Sequence, residues 1–233
     1  IVEQYKLQSF VESTSQIYKL TREFKYGQMT TYQWDIALPS ISMQNDSVNL
    51  WDISLQMAFQ FFGVYFRKSE IPLWLTQYGR QYGDRNYFES VGEYIDHIPV
   101  LLHKEEMLSY HAVIKKQLSV AANHHLNFFN LIFNEEMEPM YPQASSMLKK
   151  GLGQLPIVFN YLGEMQEASK MLSTLNRSTT LVDGEEVIFF EAAHTGAVLQ
   201  IFLRLPYEEK HEDIYRILQA ANDKIISDLA IRQ

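Results

Sequence analysis

The sequence predicts an α/β fold, a mixed sheet flanked by helices. Three observations predict it. Apolar residues recur at steps of three and four over residues 48–66, a short apolar run over 156–161 is followed by Gly163, and two late apolar runs over 186–190 and 197–205 lead into a last helical stripe. The chain has 233 residues, 46% hydrophobic and 21% charged, which is the profile of an ordinary globular protein and enough for one sizeable core or two small ones.

The elements follow in order. Leu7, Phe10, Val11, Thr14 and Tyr18 share one face of a helix over 7–20. Residues 21–44 read as irregular or weakly extended, broken at Pro39. Asn45, Asp46 and Ser47 are N-cap candidates for the next helix, whose stripe is Val48, Trp51, Leu55, Ala58, Phe59, Phe62 and Phe66. A strand over 71–75 leads to Tyr78-Gly79-Arg80. A second strand over 94–102 holds Pro99, which cannot donate to a ladder and so belongs at an edge or a break. Residues 108–125 read as a helix, and 126–133 continue it as a very apolar piece. Lys149-Lys150-Gly151-Leu152-Gly153 reads as a helix C-terminus with a glycine cap. Pro156 to Tyr161 is a buried strand. The strands over 186–190 and 197–205 are joined by a turn at His194-Thr195-Gly196, and a helix starts near Glu208 with Ile214, Leu218, Ala221, Ile225 and Leu229 on one face.

Charge and composition exclude several functions. Lys and Arg number 20 against 28 Asp and Glu, giving a net charge of −8, and no basic stripe interrupts the acidic balance, so a phosphate backbone is not the expected partner. No apolar run approaches the roughly 18 residues of a membrane span. The absence of cysteine removes thiol nucleophiles, zinc-thiolate sites and disulfides, and fits a cytoplasmic setting. Ile1 is not a Met, and no signal pattern follows it, so the sequence reads as a piece of something longer.

Residue chemistry alone builds no active site. His124 and His125 are neighbours on a predicted helix and point about 100° apart, so they serve poorly as a pair. Glu135, Glu136 and Glu138 read as a solvated acidic stretch, and the Lys149–Gly153 segment lacks the Gly-Lys-Ser/Thr ending of a phosphate loop. No metal site is expected.

One stretch carries more. Phe159-Asn160-Tyr161-Leu162-Gly163-Glu164 strongly resembles the late Phe-Asn-Tyr-Leu-Gly motif of epimerization and related condensation domains of nonribosomal peptide synthetases. Val91-Gly92-Glu93-Tyr94 resembles the family's Val/Ile-Gly-x-Phe segment, and the strand ending in Gly79-Arg80 resembles the family's Gly-Arg strand. The resemblance runs from about Leu7 to Leu229 and covers the second half of such a domain. The family's His-His-x-x-x-Asp-Gly motif belongs to the first half. His124-His125 does not replace it, because Phe129 and Asn130 stand at the Asp and Gly positions.

The resemblance implies that residues 1–233 form the C-terminal lobe of a two-lobed fold similar to chloramphenicol acetyltransferase. It implies a channel between lobes, to which carrier proteins deliver aminoacyl or peptidyl groups on phosphopantetheine. Asn160 and Tyr161 would face that channel as catalytic residues, Arg80 and Gly163 would anchor the strand ends, and Phe159 and Leu162 would be core. The reaction implied is peptide-bond formation or epimerization. No cofactor is bound directly, and this lobe alone is expected to be inactive. Epimerization domains resemble one another in a Glu-Gly-His-Gly-Arg segment, where this chain has Thr76-Gln77-Tyr78-Gly79-Arg80. Thr76 cannot take a proton at neutral pH, so condensation or a non-catalytic role is easier to accommodate.

The expected partners are a carrier protein and the N-terminal lobe, with dimerisation through the exposed seam as a possibility. A module that docks carrier proteins without catalysis, through Arg67, Lys68, Lys149 and Lys150, is the alternative. A stand-alone acyltransferase of the same superfamily is a third reading.

Overall fold

A computed structural model of the chain describes residues 6–21, 29–37, 49–78, 81–82, 85–86, 95–104, 114–115, 128–136, 138–152, 154, 157–165, 187–206 and 211–231. The architecture is mixed α/β, as the sequence predicts, and it divides into two compact units. The first is Ile1–Lys19 with Glu70–Val158, and the second is Leu20–Ser69 with Phe159–Gln233.

In the first unit, α1 (Leu7–Thr21) buries Leu7, Phe10, Val11, Thr14 and Ile17. The stripe thus runs through Ile17, with Tyr18 at its margin. Thr14 returns its hydroxyl to the Phe10 carbonyl at 2.8 Å, which satisfies a buried polar group within the helix. Strand β2 (Glu70–Tyr78) pairs antiparallel with β5 (Ile95–His103), placing Trp74 opposite Pro99. Among the described residues β5 has β2 as its single neighbour, so Pro99 lies in an edge strand as its missing N–H demands. The short β3 (Gln81–Tyr82) and β4 (Arg85–Asn86) pair with each other.

Helices α3 (Phe128–Phe133) and α4 (Pro142–Leu152) complete this unit. The α4 helix ends at Leu152, as expected; Gly151 lies inside it, and Gly153, the other glycine of the expected cap, lies outside the described residues. Gly151 is buried, and a Cβ there would meet Phe10 at 3.4 Å and Trp74 at 3.7 Å. These are ordinary van der Waals separations, so α4 packs on the Phe10–Trp74 edge-to-face pair, whose centroids are 5.2 Å apart, without requiring a glycine there. Of the helix predicted over 108–125, Ile114 and Lys115 are described and helical, and the rest lies outside the described residues.

The second unit contains a sheet in the order β1 (Met29–Ala37), β8 (Val198–Pro206), β7 (Ile188–Thr195), β6 (Ile157–Glu164). The segment read as irregular or weakly extended over 21–44 thus contains a nine-residue strand. Nine residues of β1 pair antiparallel with β8, from Met29 opposite Pro206 to Ala37 opposite Val198. The β7–β8 hairpin also corrects the expected turn. Thr195 pairs with Val198, so the loop is Gly196-Ala197, and His194 belongs to the strand. Gly196 takes φ of +53°, the left-handed conformation that two-residue hairpin loops favour.

Helix α2 (Leu50–Tyr65) is capped by Asn49, whose side chain accepts the Trp51 N–H at 2.9 Å. The earlier candidates, Asn45 to Ser47, lie outside the described residues. At the other end Lys68 N–H reaches the Gly63 carbonyl at 3.0 Å and Arg67 N–H the Val64 carbonyl at 3.3 Å. This is a Schellman closure, with Arg67 at φ +54° in the place usually held by glycine. Helix α5 (His211–Ile231) buries Ile214, Leu218, Ala221 and Ile225 and packs on α2.

Both helices cover one face of this sheet. Phe62 meets Phe190 at 6.0 Å, Trp51 meets Phe159 at 6.4 Å, and Tyr215 meets Tyr32 and Trp34 at 5.6 and 6.0 Å. Phe159 and Phe190 stack at 5.9 Å, and both are 0% exposed. Burial of each such ring contributes about 1.5–3 kcal/mol.

Candidate functional site

Strand β6 carries the Phe-Asn-Tyr-Leu-Gly stretch, and its burial changes along its length. Ile157, Val158, Phe159 and Asn160 are buried, Tyr161 and Gly163 are half-buried, and Leu162 and Glu164 are exposed. Phe159 is core, as expected. Leu162, also expected in the core, is 44% exposed. It falls in the half of β6 that has left the packed centre.

Successive strand residues point to opposite faces. Asn160 and Tyr161 therefore do not line one surface together, as the sequence reading had them. Asn160 is buried and donates its side-chain N–H to Glu191 Oε1 of β7 at 3.2 Å. Phe202 and Gln33 lie in register with Glu191 on that face, and Arg204 stacks over Phe189 at 5.3 Å.

Tyr161 projects on the face that holds Phe159 and Phe190, beyond those rings. Its hydroxyl lies 2.9 Å from His194 Nδ1, and the two rings are nearly parallel, 4° apart. Burial raises the phenol above its ordinary pKa, and the negative charge of nearby Glu164 adds to this, so the group is a neutral donor and acceptor across the physiological range. His194 is the neighbour that the sequence reading placed in a turn. Thirty-three residues separate the pair, and the turn chemistry of Thr195-Gly196 drew His194 into a loop that in fact starts at Gly196.

Gly163 sits inside β6 at φ +77°, a conformation that L side chains rarely adopt. The main chain re-engages β7 just beyond it. Met165 N–H reaches the His194 carbonyl at 2.7 Å, and the Thr195 hydroxyl reaches the Met165 carbonyl at 3.3 Å. Arg80, the other expected anchor, lies outside the described residues, as do His124 and His125.

Thr76 of β2 stands opposite His97 of β5, with Oγ1 and Nδ1 3.4 Å apart. Glu135, Glu136 and Glu138 are exposed, and Glu138 forms an ion pair with Lys149 at 2.7 Å. Lys149 is thereby partly neutralised as a docking cation, while Lys150 and Arg67 are exposed. Among the described residues no helix is long and apolar enough to cross a membrane.

No protein-family model and no curated protein matches the sequence. Solved structures do match. A four-domain nonribosomal peptide synthetase in its holo form, bound to AMP and glycine, aligns over 97% of this chain and 19% of its own, at 10% identity and a TM-score of 0.58. The condensation domain of the monacolin K polyketide synthase MokA aligns over 90% of this chain and 49% of its own, at 10% identity and a TM-score of 0.55. A structure concerned with condensation-domain-mediated chain release from the enacyloxin polyketide synthase aligns over 94% of this chain and 47% of its own, at 9% identity and a TM-score of 0.51. The chain has the fold of condensation domains of peptide and polyketide synthases, over about half the length of the MokA domain it matches.

Proposed function

We propose that the chain is the C-terminal lobe of a condensation-type domain, forming peptide bonds between aminoacyl and peptidyl thioesters held on carrier-protein phosphopantetheine. The observation that carries this reading is Tyr161. It lies in the Phe-Asn-Tyr-Leu-Gly stretch, half-buried, with its hydroxyl fixed by His194 at 2.9 Å. A neutral phenol held in place is suited to donate to the thioester oxygen as negative charge develops there. Asn160 supports the strand through Glu191 rather than sharing the Tyr161 face. The phosphopantetheine belongs to the carrier, so the lobe itself needs no bound cofactor, and the cytoplasm is the setting in which such carriers work.

Condensation is favoured over two-base epimerization. Thr76 supplies a hydroxyl facing His97, not a carboxylate, where epimerization domains resemble one another in a glutamate. The proton acceptor for the attacking amine then comes from the partner lobe bearing the His-His-x-x-x-Asp-Gly motif.

The test combines this chain with a separately produced first lobe and loaded donor and acceptor carrier proteins, with the dipeptidyl product read by mass spectrometry. Product is expected with both lobes and not with this chain alone. Tyr161→Phe is expected to lower the rate by about 100-fold, the scale of losing one oxyanion donor. Product at the full rate from Tyr161→Phe refutes the role of the phenol. Carrier binding without product in any combination identifies the chain as a docking module.

A further inference from the structure

The Tyr161 hydroxyl and His194 Nδ1 come together across β6 and β7, and nothing in the Phe-Asn-Tyr-Leu-Gly stretch itself specifies the second residue. We propose that His194 is the positioning residue of Tyr161, fixing the phenol oxygen and the direction of its remaining hydrogen-bonding capacity. The functional side rests on the reading above, in which Tyr161 contacts the thioester.

The geometry supports this in three ways. The 2.9 Å separation is a full hydrogen bond, and the 4° interplanar angle at 6.2 Å leaves the rings side by side in one orientation. The carbonyl of the same His194 accepts the Met165 N–H at 2.7 Å, so its backbone is tied to β6 beyond Gly163 while its ring holds Tyr161. A free phenol swings its hydrogen about the C–O bond. With one of its places taken by imidazole, the rest point in a fixed direction, which is the preorganisation that charge stabilisation needs.

The pair is half-buried, and Glu164 is the neighbouring charge that acts on the phenol. Either ring can donate. If imidazole Nδ1–H donates, the phenol hydrogen is left for the substrate. If the phenol donates, its one hydrogen is spent on imidazole and none is left for the thioester oxygen, so the reading above requires the first arrangement, in which His194 acts through Tyr161.

The experiment reads the contact directly in the isolated chain by nuclear magnetic resonance, with imidazole nitrogens and tyrosine Cζ isotopically labelled. Tyr161→Phe removes one oxygen atom and is expected to shift the His194 Nδ1 resonance. His194→Phe keeps an aromatic ring without the bond and is expected to move the Tyr161 phenol pKa by about half a pH unit or more. A rise means that imidazole was the donor, as donation of the phenol hydrogen to the thioester requires, and a fall means that this hydrogen is spent on imidazole and overturns the functional side. His194→Asn, whose amide reaches about where Nδ1 lies, is expected to restore the wild-type value in part. An unmoved Nδ1 resonance in folded Tyr161→Phe overturns the proposal even if His194→Phe fails to fold.

In the two-lobe assay, His194→Phe is expected to lower kcat about 10-fold with KM unchanged. An unmoved kcat overturns the functional side. If the resonances shift but Tyr161→Phe retains full activity, the contact stands and it is the assignment of Tyr161 to the reaction that fails.

Discussion

The two faces of the second unit's sheet are built on different principles. Beneath α2 and α5 lie Phe159, Phe190, Leu203, Ile201 and Tyr32, all at 2% exposure or less. The opposite face carries Asn160, Glu191, Gln200, Phe202, Gln33 and Arg204. One face is held by interlocked rings, the other by hydrogen bonds and a cation over an aromatic ring. The strands serve both because their side chains alternate, so a single residue step from Asn160 to Tyr161 changes the environment completely.

The contrast breaks most visibly at Phe190. Phe190→Ala removes the stack on Phe159 and the edge contact to Phe62, and is expected to cost about 3–5 kcal/mol in urea unfolding. Phe202→Ala, on the half-buried opposite face, is expected to cost less than half as much. Equal losses would mean that the second face is packed like the first.

A smaller effect tests the polar face. Asn160→Ala leaves Glu191 without its 3.2 Å donor and is expected to cost about 1–2 kcal/mol by the same measurement. Arg67→Gly acts away from both faces. It relieves a left-handed backbone at φ +54° and is expected to raise stability by about 1 kcal/mol, read as a shift of the urea midpoint at constant slope.

The smallest effect is one of pH. The Tyr161 phenol is raised above 10.0 in the folded chain by burial and by Glu164. The folded state therefore holds this proton more tightly than the unfolded state. The resulting stability is complete below pH 10 and is lost as the pH climbs through the folded value. Comparing unfolding of wild type and Tyr161→Phe between neutral and strongly alkaline pH isolates this contribution, which is absent from the variant.

Long periodic elements were legible from the sequence. The stripe Trp51–Leu55–Ala58–Phe59–Phe62 and the stripe Ile214–Leu218–Ala221–Ile225 each contain enough turns for the pattern to stand out, and both helices are present. Strand β1 read only as irregular or weakly extended although Tyr32, Trp34 and Ile36 alternate, because Thr30, Thr31 and Gln33 dilute its apolarity. It becomes a strand by pairing with β8, which lies far away in sequence. The same non-locality hid the Tyr161–His194 contact. A resemblance in one stretch identifies one partner of such a pair, while strand register supplies the other. Leu162 was assigned to the core by residue type, but its burial depends on where the packed part of β6 ends.

Gly163 has a consequence of its own. Nothing lies within 4 Å of where its Cβ would be, so bulk does not explain the residue. The backbone angle does: φ of +77° suits a side chain of the opposite hand. The requirement at this position is therefore chirality and not volume. D-alanine introduced by chemical ligation should be accepted there, while ordinary alanine should loosen the strand end that bears Tyr161.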